Sequence, residues 1–167
     1  MHSKIVAAFL AAALNSGVAL GHGSSHEKKT ARKPAAGANE ETPFGHAGDA
    51  KKVMRTIKVG MNDKMHFTSG HVRVRQGDTL KFVVANRGKI MHEMVIGTMK
   101  ELQEHAELMK KHPGMEHDEP YMAHVSPGKT ETIVWQFTQV GEFHYACLIP
   151  GHLEAGMIAK ITVEPGK

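Results

Sequence analysis

The stretch GEFHYACLIPGHLEAGMIAKITV, residues 141–163, decides how this chain is read. GEFHYAC (141–147) and MIAKITV (157–163) both alternate apolar with polar side chains, the period of a strand with one buried face. Pro150-Gly151 between them marks a turn. Three chemically distinctive side chains stand at the joints of this strand–loop–strand unit. Cys147 ends the first strand, His152 follows the turn, and Met157 opens the second strand.

Working outward, five further segments read as strands: VMRTIKV (53–59), HVRVR (71–75), TLKFVVAN (79–86), HEMVIG (92–97) and TETIVWQF (130–137). Asn86-Arg87-Gly88, Ser126-Pro127-Gly128 and Gly141 punctuate them. Seven short strands with such turns predict an all-β fold, an antiparallel β-sandwich. Trp135 and Phe137 belong to its core. One insertion departs from the pattern: Thr98 can cap a helix MKELQEHAELMKKH that stops before Pro113-Gly114. Met99, Leu102, Ala106 and Met109 recur at helical spacing and are expected to face the sandwich.

Residues 1–21 read as an export signal: Lys4 precedes the apolar run IVAAFLAAAL, and Ala19-Leu20-Gly21 has the small-x-small form of a cleavage site. The run is short for a bilayer span, so a periplasmic protein with no membrane insertion after cleavage is expected. Residues 22–50, rich in Gly, Ala, Ser, Pro and charge, read as a flexible arm, and residues 51–167 as one compact domain. The formal net charge of +4 falls to about +3 without Lys4, and the basic residues are scattered, which argues against nucleic acid as a partner.

The chain holds a single cysteine, which cannot close an internal disulfide in an oxidising compartment. Metal ligation would remove that liability. A thiolate with an imidazole and a thioether close behind is the donor set of a mononuclear copper site. Soft sulfur suits Cu(I), imidazole suits Cu(II) as well, and a weak axial Met completes a His2Cys trigonal centre. The second imidazole has to come from elsewhere, and His92, at the start of HEMVIG, is the best placed.

These residues carry a resemblance. The spacing of Cys147, His152 and Met157 is similar to that of rusticyanin and the phytocyanins, and the domain resembles a cupredoxin. More narrowly, NDKMHF, HEMVIG, ELQEHAELMKKHPGMEHDEP, SPGKTETIVWQF and the terminal FHYACLIPGHLEAGMIAKITV resemble periplasmic cupredoxins linked to copper tolerance. The likeness covers roughly residues 53 to 164. It implies a Greek-key β-sandwich holding one type 1 copper, with His92, Cys147 and His152 equatorial and Met157 axial. It also implies a one-electron carrier serving copper tolerance. Leu148, Ile149, Pro150, Leu153 and Ala155 would form an apolar patch where a periplasmic redox protein docks near His152. One departure stands out: many cupredoxins place Asn or Ser after the first His ligand, and here that residue is Glu93. An acidic group beside the sulfur bears on the redox potential.

Thirteen His and eleven Met exceed what packing calls for. His105, Met109 and His112 share a stripe of the expected helix, and Met115 and His117 follow, so these five form a candidate secondary metal site. Met122 and His124 come next, and Met65-His66, Met91 and Met94 could lie nearby. The alternative role, copper sequestration or chaperoning without a redox partner, rests on this group. His22, with its α-amine after cleavage, is a further chelate, joined in the arm by His26 and His46. His71 and His144 read as ordinary strand histidines. No His-x-His pair, Ser/His/Asp triad or carboxylate pair is apparent, so an enzyme is not expected.

Overall fold

A computed structural model describes residues 40–113, 115 and 117–166. The expected export signal and most of the expected arm, with His22 and His26, lie outside the described residues. In chain order the elements are β1 (His46–Ala47), a single 3-10 turn (Ala50–Lys52), β2 (Arg55–Asn62), β3 (His66–Phe67), β4 (His71–Arg75), β5 (Thr79–Asn86), β6 (His92–Gly97), α1 (Met99–Lys111), β7 (Met122–Val125), β8 (Thr130–Gln136), β9 (Gly141–Ala146) and β10 (Ile158–Glu164).

Two five-stranded sheets pack face to face, ordered β1-β8-β5-β2-β3 and β4-β10-β9-β6-β7. The sandwich read from the sequence is the one that forms, and its alternating segments bury alternate residues, as in β4 and β10. Strand direction differs from expectation at two places: β2 runs parallel to β5, and β4 parallel to β10. Alternation reports which face is buried and is silent on direction. β7 is an unexpected edge strand paired antiparallel to β6.

The domain also reaches further upstream than residue 51. Phe44 is 2% exposed and stacks on Trp135, with ring centroids 5.2 Å apart. Trp135 Nε1 donates to the Phe44 carbonyl at 3.3 Å, and β1 pairs with β8. One aromatic side chain thus turns the end of the expected arm into part of the core.

Helix α1 starts where its capping box places it. The Glu101 N–H donates to Thr98 Oγ1 at 3.2 Å, and the Thr98 N–H donates to Glu101 Oε2 at 3.0 Å. Leu102, Ala106 and Met109 are buried, whereas Met99 sits in the first turn and is exposed. Leu102 and Ala106 cover a small apolar cluster that includes Val95, Met122, Ala146 and Leu148. The helix therefore rests on β6 and β9, the strands that bring His92 and Cys147 to one end of the sheet.

Candidate metal centre

β9 and β10 pair antiparallel with Ala146 opposite Ile158, so the hairpin loop runs from residue 147 to residue 157. Cys147 N–H donates to the Met157 carbonyl at 3.1 Å, and Met157 N–H to the His152 carbonyl at 3.0 Å. The three residues are thus tied by backbone before any side chain is considered. Gly151 and Gly156 take φ of +89° and +90°, which lets the loop double back on both sides of His152–Ala155. His152 N–H closes the first turn onto the Ile149 carbonyl at 2.9 Å.

β6 lies beside β9 and delivers His92 to the same spot. Cys147 Sγ is 3.2 Å from His152 Nδ1 and 4.0 Å from His92 Nδ1. The two imidazole centroids are 5.0 Å apart. His92 and Cys147 are fully buried, and His152 is 8% exposed. A metal about 2.3 Å from a thiolate and about 2.0 Å from an imidazole in a trigonal plane sets sulfur and nitrogen about 3.7 Å apart. The two observed gaps bracket that value. Met157 is fully buried in the same apolar cluster as Cys147.

Protonation suits soft-metal capture. Desolvation pushes the Cys147 thiol up to about 12, with the Glu93 N–H at 3.4 Å from Sγ acting in the opposite sense. A soft metal held there would take the place of the thiol's proton. Burial, and then the neighbouring His92, lowers the pKa of His152.

Three residues have supporting roles that the sequence reading did not assign. Asp63 Oδ1 faces His92 Nε2 at 3.3 Å and so orients the ring whose Nδ1 points at the sulfur. Asp63 is itself held by the Lys89 N–H at 2.8 Å, and that bond is the main cause of its lowered pKa. Gly88 makes this approach feasible, since a Cβ there would fall 1.9 Å from Asp63 Oδ1. Asn86, 2% exposed, donates to the carbonyls of Ile90 and Val125 at 2.8 Å each, bracing the segment that leads into His92.

Glu93, where many cupredoxins carry Asn or Ser, braces the loop that follows Cys147. Its backbone N–H meets the sulfur, and its Oε1 accepts from the Leu148 N–H at 2.8 Å. Its Oε2 lies 3.2 Å from His124 Nδ1. That contact is the main reason the pKa of His124 is raised. The expected apolar patch is altered in one member: Leu148 is 1% exposed and packs under α1. Ile149 and Leu153 are half-buried, Pro150 and Ala155 are exposed, and Ile90 and Met91 add exposed apolar surface.

Of the five secondary candidates, His105 and His117 come together, with their Nε2 atoms 2.8 Å apart. Met109 and Met115 line a cleft that also contains His117 and Met91. His112 is exposed at the end of α1 and does not line it. His46 is half-buried in β1, and the exposed His71 lies 2.8 Å from Thr162 Oγ1.

The comparisons with known proteins point the same way. The profile of the copper binding proteins, plastocyanin/azurin family, matches residues 53–164. A copper-resistant cuproprotein CopI of Rubrivivax gelatinosus is 44% identical over 158 residues, covering 95% of this chain and 92% of that protein. A CopI of Vibrio cholerae is 37% identical over 120 residues, 71% of each chain. Among solved structures, auracyanin B superposes with a TM-score of 0.60 at 17% identity, covering 75% of this chain and 99% of that one. The reduced auracyanin of Roseiflexus castenholzii gives 0.58 at 20% identity, covering 68% and 99%. At these identities the structural likeness establishes the fold alone.

Proposed function

This chain belongs to the plastocyanin/azurin family of copper-binding proteins, and we propose that it is a periplasmic one-electron carrier serving copper tolerance. In this reading His92 Nδ1, Cys147 Sγ and His152 Nδ1 would hold one type 1 copper, with the buried Met157 thioether as a further, weaker donor. The observation that carries it is the convergence of those three atoms within 4.8 Å of one another in a buried setting. Copper bound there supplies a Cu(I)/Cu(II) couple.

The chain's own residues do the rest. The backbone ties among Cys147, His152 and Met157 and the Asp63 contact to His92 hold the donors in one arrangement, so little has to move when the charge changes. Burial excludes water from the sulfur. His152 alone of the three donors keeps some exposure, and the exposed Pro150 and Ala155 of its own loop, with Met91 in the cleft beside Pro150, suit the small, weak encounters of redox partners. The copper-tolerance setting is supported by the CopI relatives, and export by the sequence of residues 1–21. Among the described residues no helix is long and apolar enough to cross a membrane. We assign no enzymatic reaction.

Visible and EPR spectra of the copper-loaded chain test this reading. An intense thiolate-to-copper band is expected, and it should vanish in Cys147→Ser; a colourless loaded protein would refute it. A second reading, sequestration without a redox partner, is favoured by the pairing of His105 with His117, which shares a cleft with Met109 and Met115. Rapid electron exchange with a small soluble cytochrome supports the carrier, and its absence supports storage.

A further inference from the structure

We infer that His105 and His117 form a second copper site, selective for Cu(I), completed by a thioether from Met109 or Met115. The site is independent of Cys147 and does not require the carrier role.

The two Nε2 atoms stand 2.8 Å apart and the ring centroids 4.6 Å apart. A metal about 2.0 Å from both would see them at about 90°, and roughly half an ångström of opening brings that to tetrahedral. Both rings are partly buried, and His117 Nδ1 is buried with no hydrogen-bond partner among the described residues. Two imidazole nitrogens facing each other at this distance can share one hydrogen, or can both turn a lone pair toward one ion between them.

The surroundings choose the metal. Met109 is one helical turn after His105 and therefore on the same side of α1. Met109, Met115 and Met91 line one cleft with His117. Thioethers with imidazoles favour Cu(I) over harder ions. His124 is committed elsewhere: Nδ1 faces Glu93, and Nε2 lies 3.1 Å from the His117 carbonyl. Its role here is to fix the backbone of the segment carrying His117. Binding needs no net proton loss, because each neutral ring can keep its hydrogen on Nδ1 and offer Nε2.

The test uses the full chain with Cys147→Ser and His152→Gln, which strips the first site of its thiolate and one of its imidazoles. Cu(I) is titrated without oxygen against a chromophoric Cu(I) chelator. The expected result is one Cu(I) retained per chain, with affinity falling at least tenfold in both His105→Gln and His117→Gln. Glutamine keeps hydrogen-bonding capacity at these positions but is a poor Cu(I) ligand, so an unchanged unfolding transition separates ligand loss from misfolding. Unchanged affinity in both glutamine variants, or Zn(II) held as tightly as Cu(I), overturns the assignment. Failure here leaves the thiolate band of the chain with Cys147 intact untouched, so the two readings fail separately.

Discussion

Removing the imidazole of His124 should destabilise the metal-free protein far more than neutralising Glu93. The Glu93 side chain is 2% exposed, and its Oε2 relies on His124 Nδ1 at 3.2 Å. Stripping one partner from a fully buried pair costs about 3–5 kcal/mol. The His124 side chain is 32% exposed, so its loss opens a path for water to Oε2, and the discounted cost is about 2 kcal/mol. That corresponds to roughly 30-fold in the unfolding equilibrium and, for a domain of this size, a midpoint lower by about 8 °C. Glu93→Gln should cost under about 1 kcal/mol: the amide oxygen still accepts from Leu148, and its NH2 can donate to a neutral His124. In the Glu93→Gln background, His124→Ala should therefore lose most of its effect. The pH dependence follows from the sign of the shift. Glu93 raises the pKa of His124, so this stabilisation is complete below the ordinary histidine value and is lost as pH rises through the raised one. Urea unfolding at pH 6 and pH 9 should show a wide gap between the parent and His124→Ala at the lower pH, narrowing at the higher. A gap that is the same at both pH values, or equally large with Gln at 93, refutes the reasoning.

Asp63→Ala should weaken copper binding by about 10–100-fold in a chelator competition while leaving the metal-free unfolding transition nearly in place, because it orients His92 from outside. Gly88→Ala should act through the same contact, and the double variant should be no worse than either single one. Uptake of Cu(I) from a chelate at pH 9.5 in weak buffer should release close to one proton per copper, since burial keeps Cys147 protonated there; an ordinary thiol would release less than about a quarter. Phe44→Ala should cost about 3–5 kcal/mol in denaturant unfolding, as expected for an aromatic packed on Trp135 and not for an arm residue.

Much of the sandwich was legible because one face of each strand is buried and hydrophobic periodicity records that. HVRVR reads correctly from two valines. β7 was missed because four residues between Pro120 and Ser126-Pro127 show no period of their own; β6 defines them as a strand by pairing. Phe44 was missed for a related reason. An isolated aromatic among Gly, Thr and Glu has no pattern, and its burial depends on a tryptophan 91 residues away. Cys147, His152 and Met157 were legible because one loop carries all three, and the backbone bonds of that loop are local.

The residues that orient the donors were hidden by a single topological fact. Because β2 runs parallel to β5, with Met61 opposite Asn86, both strands end at the same edge and their following loops emerge side by side. Asp63, just past β2, is thereby set against Gly88 and Lys89, just past β5, and beneath the ring of His92. An antiparallel reading sends those two loops to opposite ends of the sandwich and leaves Asp63 as an ordinary turn residue. The parallel pairing and the carboxylate behind His92 are thus one unread feature. Glu93 shows the converse: its departure from the Asn or Ser pattern was visible in the sequence, but its side chain's length only gains meaning once Leu148 and His124 are placed on either side of it. Through that length Glu93 ties the centre to His124 and so to the segment carrying His117.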